Sequence, residues 1–528
     1  PAGWLQAHSV SVDLDQSEAA LALPADAQNI SLSLHSGLDD LYRSTLDDLL
    51  SYPWGGVEQT ASQLLPLAIA YPTLAQGEPR IADRLRLVMQ NSRLRLVHMA
   101  GPNAHFSWWG GADEDAFLTA YAYYADWHAS RALGLSLPPE HFQRVLDLYA
   151  QRAAQTPLLQ RALILDFAQR MELPIDFLVQ GLLRDLSAAA APATRRGSKV
   201  DLAWSSLILD APDSQLGLDA ARVLAARLAT LVGHSVPADL DVDTAQARLA
   251  SSTLAFAQAV NLYRAPPDSA GIRALYQRLA PEQATLERAL ILSWLGLEAS
   301  PHIANELRPI GDWTAQTLTG GSTRWVWTGV GVPQSLRVRN GARGTVHGTR
   351  EEPQPTTQTT GLLRFDSNAP SQSNLPISIT RRLWRLQPGT GAFQFDAVAV
   401  GVGESLSSDT LYLDEITLIN SADKALRYGL VEVPLPPGAD VERTTWGISV
   451  SGLGGTGAAQ LEKARHESGE LRYAVPVDTL TGTVSFRHLL RFSQKGRFHL
   501  PPVRYQRLYA PEQQALEAKP ALGSIEVR

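Results

Sequence analysis

The chain has 528 residues, no cysteine, a formal net charge of −7 and a pI near 6.0. That length holds several domains with cores of their own, the acidic balance gives no electrostatic reason to expect nucleic acid or an anionic membrane surface, and the missing thiols exclude disulfides, thiolate metal sites, a cysteine nucleophile and an internal thioester. No apolar run approaches the roughly 18 residues of a membrane span, and Pro1 opens the chain with neither a basic nor an apolar export segment, so the chain reads as a fragment or a processed product.

The first residues read as strands. Val10, Val12 and Leu14 alternate with Ser9, Ser11 and Asp13, and Ile30, Leu32 and Leu34 alternate with Ser31 and Ser33. Such short strands cannot bury a core alone, so partners are expected later in the chain, near Leu336 and Val338. From Leu38 to about Leu297 the period becomes helical: Ala220, Leu224, Leu228 and Leu231 form one stripe, and Leu286, Leu290, Trp294 and Leu297 another. Breaks at Gly77-Glu78-Pro79, Leu137-Pro138-Pro139, Leu173-Pro174, Pro212-Asp213 and Ala265-Pro266-Pro267-Asp268 divide this span into about a dozen helices. Paired helices in that number fit an α/α toroid with a more apolar inner ring. Pro66 inside an apolar period predicts a kink or break near Gln63, and the alanine-rich run from Ser187 to Lys199 predicts an exposed loop. Beyond Trp313 the composition turns to β. Val484, Phe486, His488, Leu490 and Phe492 share one strand face, and turn signals such as Pro436-Pro437-Gly438 point to antiparallel sandwiches.

Several patterns suggest chemistry and weigh against it on inspection. Gly452-Leu453-Gly454-Gly455-Thr456-Gly457 has dinucleotide spacing, but a short polar segment follows it inside a β region, so a glycine loop is expected. Asp113-Glu114-Asp115 has the carboxylates of a toroidal glycoside hydrolase, yet adjacent acids just before Phe117 and Tyr121 are suited to capping a helix. The aromatics Trp108, Trp109, Tyr121, Tyr123, Tyr124 and Trp127 fit toroid core better than a binding surface. The scattered histidines show no zinc spacing, and there is no phosphate-cradling loop and no nucleophile elbow. No enzyme, cofactor or metal is expected.

The most informative stretch is Tyr52-Pro53-Trp54-Gly55-Gly56-Val57-Glu58-Gln59-Thr60-Ala61-Ser62. Val57, Ala61, Leu64, Leu65 and Ala68 have helical spacing, which puts Gly55 and Gly56 at a helix N-terminus, with Glu58 complementing its dipole and positions 56 and 59 about one turn apart. The stretch resembles the thioester motif of the bacterial alpha-2-macroglobulin family, roughly Tyr-Pro-Tyr-Gly-Cys-x-Glu-Gln-Thr-x-Ser, with Gly56 where the cysteine would stand and Gln59 where its acyl partner would. Further similarity lies in Asn103-Ala104-His105-Phe106-Ser107-Trp108-Trp109-Gly110-Gly111 and Phe117-Leu118-Thr119-Ala120-Tyr121. It continues in Leu430 to Gly438, Gly496 to Val503 and Tyr509-Ala510-Pro511-Glu512.

That resemblance covers essentially the whole chain. It implies a multidomain α and β protein: an α/α toroid (35–310) inserted in a split CUB-type β-domain (1–34 and 311–365), followed by a macroglobulin-like antiparallel β-sandwich (366–528). It also implies a periplasmic endopeptidase inhibitor which, without a thioester, traps proteases sterically and non-covalently. The alternatives are an envelope scaffold binding cell-wall synthesis enzymes or sister macroglobulin-like proteins, and a toroidal carbohydrate-active enzyme. Tyr52 and Trp54, flanking the degenerate motif Gly56, Val57, Glu58 and Gln59, are expected to latch it to the C-terminal β-domain.

Overall fold

Alternation in the first residues does produce strands, and they find their neighbours only after the helices. The computed structural model describes residues 4–13, 18–20, 23, 25–35, 38–76, 79–110, 113–189, 203–252, 275–296, 307–340, 362–442, 447–454, 459–460, 467–469 and 471–528. It divides into two units, Ala7–Asn368 on one hand and Pro1–Gln6 with Ala369–Arg528 on the other. Before the helices come β1 (Leu5–Asp13), β2 (Glu18–Ala20) and β3 (Gln28–His35). After them come β4 (Leu307–Ile310), β5 (Trp313–Thr317), β6 (Thr323–Trp327), β7 (Ser335–Asn340) and β8 (Leu362–Pro370). One sheet runs β1-β8-β3-β6-β5 and another β2-β7-β4, so the helical block is inserted between strands that pair with one another.

The partners differ from those expected. β3 pairs with β6 and β8, Leu32 lying opposite Trp325 and Phe365, while Leu336 pairs with Ala19 of β2. Leu336 nevertheless meets Leu32 and Leu34 in a shared core. Alternation identifies which face a residue takes, not which strand lies beside it.

Within the inserted block, helices buried nearly all round form a ring, and outside it lie helices buried along one stripe together with α1, which is itself buried nearly all round. Among the described residues the ring is α2 (Val57–Leu74), α4 (Ala116–Ala132), α6 (Leu158–Arg170), α9 (Gln215–Leu231), α8 (Trp204–Leu209) and α11 (Thr285–Leu295), each packed on the next and α11 returning to α2. Outside it, α1 (Leu38–Leu50) packs on α2 and α11, α3 (Pro79–Met99) on α2 and α4, and α5 (Pro139–Arg152) on α4 and α6. The remaining two, α7 (Asp176–Ala188) and α10 (Val242–Ser252), pack on α6 and α9 and on α9 respectively. This is the α/α toroid. Its inner helices lack a polar face because both their sides meet other helices.

Three expectations need correction or restriction. Helix α2 runs unbroken through Pro66 and Pro72, with no break near Gln63. The two prolines forgo the hydrogen bonds to the carbonyls of Ser62 and Ala68, but α2 is held by α3, α4 and α11, and Tyr42 Oη donates to the Pro66 carbonyl at 2.7 Å. Packing therefore overrides local propensity. Leu231 ends α9 exposed, while Ala220, Leu224 and Leu228 are buried as expected. The alanine-rich run begins inside α7, and residues 190–199 lie outside the described residues, as does Leu297.

The helical block is also tied to the sheet it interrupts. Asp47 on α1 accepts from the backbone N–H of Gly320, from Ser322 N–H at 3.2 Å and from Ser322 Oγ, all in the turn between β5 and β6, and Asp48 pairs with Arg324.

In the C-terminal unit two sheets face a common core. The first has the order β13-β18-β11-β9-β10-β14-β15 and the second β16-β17-β12-β20-β21. The first comprises β9 (Ile377–Pro388), β10 (Gln394–Ala399), β11 (Tyr412–Asn420), β13 (Ala439–Val441), β14 (Ser449–Ser451), β15 (Ala459–Gln460) and β18 (Thr483–Phe492). The second comprises β12 (Leu426–Pro434), β16 (Glu467–Gly469), β17 (Arg472–Leu480), β20 (Arg504–Arg507) and β21 (Ala510–Leu516), and β19 (Gly496–His499) with β22 (Ser524–Val527) forms a separate ribbon. Leu490 and Phe492 of β18 are buried in the core, with Val484 and Phe486 packed against it. Among the described strands β10 and β14 run parallel, a departure from an all-antiparallel sandwich. After β14, Gly452 and Gly454 take positive φ, no helix follows among the described residues, and 455–458 lie outside them. Most of the segment where the dinucleotide reading would need its helix, 455–458 and 461–466, lies outside the described residues.

Inside this sandwich Arg381 of β9 and Asp414 of β11 form a bidentate pair at 2.8 and 2.9 Å, both almost fully buried. Arg381 also donates to the Pro434 carbonyl at 2.9 Å, and Tyr473 Oη of β17 donates to Asp414 at 2.8 Å, so the pair spans both sheets. We expect Arg381→Leu alone to cost about 3–5 kcal/mol by stranding the carboxylate, and Arg381→Leu with Asp414→Leu to recover much of that loss in urea unfolding.

The helical unit carries its own pH sensitivity. His128 of α4 packs edge-on to Tyr124 at 4.7 Å, its Nε2 is sealed from solvent, and desolvation aided by repulsion from Arg170 and Arg131 pushes it down to about 4. A histidine whose folded pKa is depressed is neutral in the fold and protonated once unfolded, so the stability it contributes is full above about 6.5 and lost as pH falls toward about 4. The expected slope is at most about 1.4 kcal/mol per pH unit, and it should flatten in His128→Gln when unfolding is measured across that range.

Candidate functional site

The start of α2 carries the motif singled out in the sequence. Gly56 is the N-cap, with φ −69° and ψ −175°, an extended conformation open to any residue. What demands glycine is space. A Cβ built on Gly56 would lie 2.8 Å from Gln59 Oε1, 2.8 Å from the Trp108 carbonyl oxygen and 2.9 Å from Trp109 Cε3. The Trp108 carbonyl is fixed there because it accepts from Val57 N–H at 3.0 Å, giving an orphan donor of the helix start its partner. The Gly56 carbonyl accepts from Thr60 N–H at 3.0 Å and Thr60 Oγ1 at 2.8 Å, and Gly55 O accepts from Arg95 Nη2 at 2.9 Å.

Below this entry lies a buried polar node. Glu58 is fully buried, and its carboxylate accepts from Gln59 Nε2 at 2.6 Å, from Ser62 Oγ, and from Thr285 Oγ1 of α11 at 3.0 Å to each oxygen. Ser62 Oγ lies 2.9 Å from Tyr121 Oη of α4. Burial drives the Tyr121 phenol far above its ordinary value and the Glu58 charge adds to that, so Tyr121 stays a neutral hydroxyl. Tyr121 stacks on Phe117, with Phe167 beside it.

This arrangement offers no acyl chemistry. Gln59 gives its amide N–H to Glu58, the Thr60 hydroxyl is directed at the Gly56 carbonyl, and no thiol stands near the Gln59 carbonyl carbon. Among the motif-flanking aromatics, Trp54 is buried and Tyr52 half-buried.

The other candidates resolve into structure. Asp115 caps α4, accepting from Leu118 N–H at 2.8 Å and from Trp108 Nε1 at 3.3 Å. Glu114 meets Asn103 at 2.9 Å and His105 at 3.1 Å, and the Asn103 hydrogen bond leads in holding its carboxyl below the usual range. Tyr121 and Tyr124 are ring core, Trp108, Trp109 and Trp127 half-buried. Sequence reasoning missed Thr285, which stands 227 positions from Glu58, and no local signal marks it.

Comparison with known proteins bears on the chain as a whole. Residues 378–512 match the bacterial alpha-2-macroglobulin MG10 domain. An alpha-2-macroglobulin of Ralstonia nicotianae is 37% identical over 98% of this chain and 34% of its own length. The chain belongs to the bacterial alpha-2-macroglobulin family. It spans about a third of the length of that curated relative. Two solved structures share the fold at 18% identity over 100% of the chain. One is Salmonella alpha-2-macroglobulin reacted with methylamine, with TM-score 0.61 and 34% of that chain covered. The other is native Escherichia coli alpha-2-macroglobulin from domain MG7 to the C-terminus, with TM-score 0.60 and 83% covered. Within the family this chain is a cysteine-less homologue.

Because a rigid carbonyl and an indole edge occupy the space at position 56, Gly56→Ala should overpack the helix entry and cost about 1–3 kcal/mol. Gly55→Ala should cost less, since the side chain it meets is the flexible end of Arg95. Parallel urea melts of the two variants measure the difference.

Proposed function

We propose that this chain is part of an alpha-2-macroglobulin-like endopeptidase inhibitor that works in the periplasm by non-covalent, steric trapping of proteases. The observation that carries this reading is Gly56. The family's scaffold is kept around it, while the nucleophile is absent, its volume is filled, and the glutamine that would be acylated is engaged by Glu58. A scaffold kept without its reaction supports a reading that relies on shape and movement. The proposed latch role of Tyr52 and Trp54 belongs to the same reading. It calls for Tyr52→Ala and Trp54→Ala to release the C-terminal β-domain, read as raised hydrogen exchange and proteolysis there, while the toroid stays intact.

The test uses the full-length protein. Intact-mass measurement after methylamine treatment should show no change, in contrast to a relative whose structure is that of methylamine-reacted protein. Incubation with a protease should block cleavage of large protein substrates, leave cleavage of small peptide substrates intact, and give no adduct stable to denaturation. A methylamine shift localised to Gln59 would sink the non-covalent mechanism. Full activity on large substrates, with co-purification of envelope proteins such as cell-wall synthesis enzymes or other macroglobulin-like proteins, would favour the scaffold reading instead.

A further inference from the structure

We propose that the outward face of α3 is a seat for an acidic amphipathic helix of a partner protein. Helix α3 turns Leu85, Met89, Ser92 and Leu96 to the core. On the opposite side Leu87, Leu94 and Val97 are 57%, 55% and 66% exposed. With Gln90 between them they stand at spacings of three, four and three residues, the alternation of a coiled-coil seam rather than of scattered surface side chains. The helix carries five arginines against the single Asp83, in a chain whose net charge is −7. Arg84 and Arg86, both exposed, flank the seam on its two sides, where a docked helix places its charged residues.

The charges select the occupant. A second copy of this chain would bring arginine against arginine along the seam, a like-charge arrangement that costs affinity. A membrane surface would need a broad apolar face, whereas this seam is one side chain wide, is interrupted by Gln90 and ends at Asp83. A helix with apolar residues along one seam and Glu or Asp on either side answers both features. The seat is also connected to the motif: Arg95 of the same helix donates to the Gly55 carbonyl, and Arg93 is held by Asp126 at 2.6 Å, so the face is rigidly mounted beside the entry to α2. This inference does not depend on the trapping mechanism.

The experiment uses the whole chain and two labelled synthetic helices with leucine seams, one flanked by glutamate and one by lysine, read by fluorescence anisotropy. The glutamate helix is expected to bind, more weakly as salt is raised, and the lysine helix is not. Leu87→Gln with Leu94→Gln should weaken binding at least about tenfold. Arg84→Glu with Arg86→Glu should weaken the glutamate helix and bring in the lysine helix. All four side chains are exposed, and circular dichroism melts confirm that the variants keep their fold. Failure of the glutamate helix to bind, equal binding of the two helices, or binding unmoved by these variants would overturn the proposal. So would self-association abolished by Leu87→Gln, which assigns the face to a second copy, or sedimentation with anionic vesicles in the absence of peptide binding, which assigns it to a membrane.

Discussion

A carboxylate fully removed from water is tolerated only when its oxygens are hydrogen-bonded, because the unpaired ion costs several kcal/mol. Glu58 meets that condition by gathering donors from its own helix, through Gln59 and Ser62, and from α11, through Thr285, while Ser62 reaches on to Tyr121 of α4. Three inner helices of the ring are thereby set against one another at a single point. The ring closes through α2, which packs on both α4 and α11, so the geometry of closure and the satisfaction of Glu58 are one requirement.

That requirement explains why the neighbourhood of Gly56 is ordered although it holds no thiol. Val57 must give its N–H to an acceptor, and the Trp108 carbonyl supplies one; Asp115, which receives Trp108 Nε1, caps α4 in turn. The loop carrying the two tryptophans is therefore pinned at α2 and at α4, and its carbonyl and Trp109 ring stand where a side chain at position 56 would point. The absence of a Cβ is used by packing. Open space beside Gly56 would be an unfilled gap in a buried site, and the Trp108 carbonyl, Trp109 and Gln59 leave none.

The ring was legible in the sequence because helical period and punctuation are local, and so were the β-rich character of both flanks and the helix start at Gly55-Gly56. Three things were not legible, each for a physical reason. Pro66 signals a break by local propensity, and α2 continues because its neighbours hold it on every side. The strand around Ile30 announces its buried face but not its neighbours, which are decided by how the returning strands are laid down; Leu336 shares its core from the other sheet. Thr285 is a threonine in an apolar helix with nothing beside it to show that its hydroxyl answers a glutamate far back in the chain. Non-local polar pairing leaves no periodic trace.

Both units solve the same problem in the same manner. Apolar contact is non-directional, and a core of leucine, valine and alanine accepts several packings of similar free energy. A buried hydrogen-bonded ion does not, since a shift of one layer by a fraction of a residue breaks bonds worth more in a dry interior than in water. In the sandwich that function falls to Arg381 and Asp414, which join β9 and β11 to β12 and β17. In the toroid it falls to Glu58, and between α1 and the turn after β5 to Asp47. Each of these acids joins elements far apart in the chain, and hydrophobic burial alone specifies the relative position of such elements least.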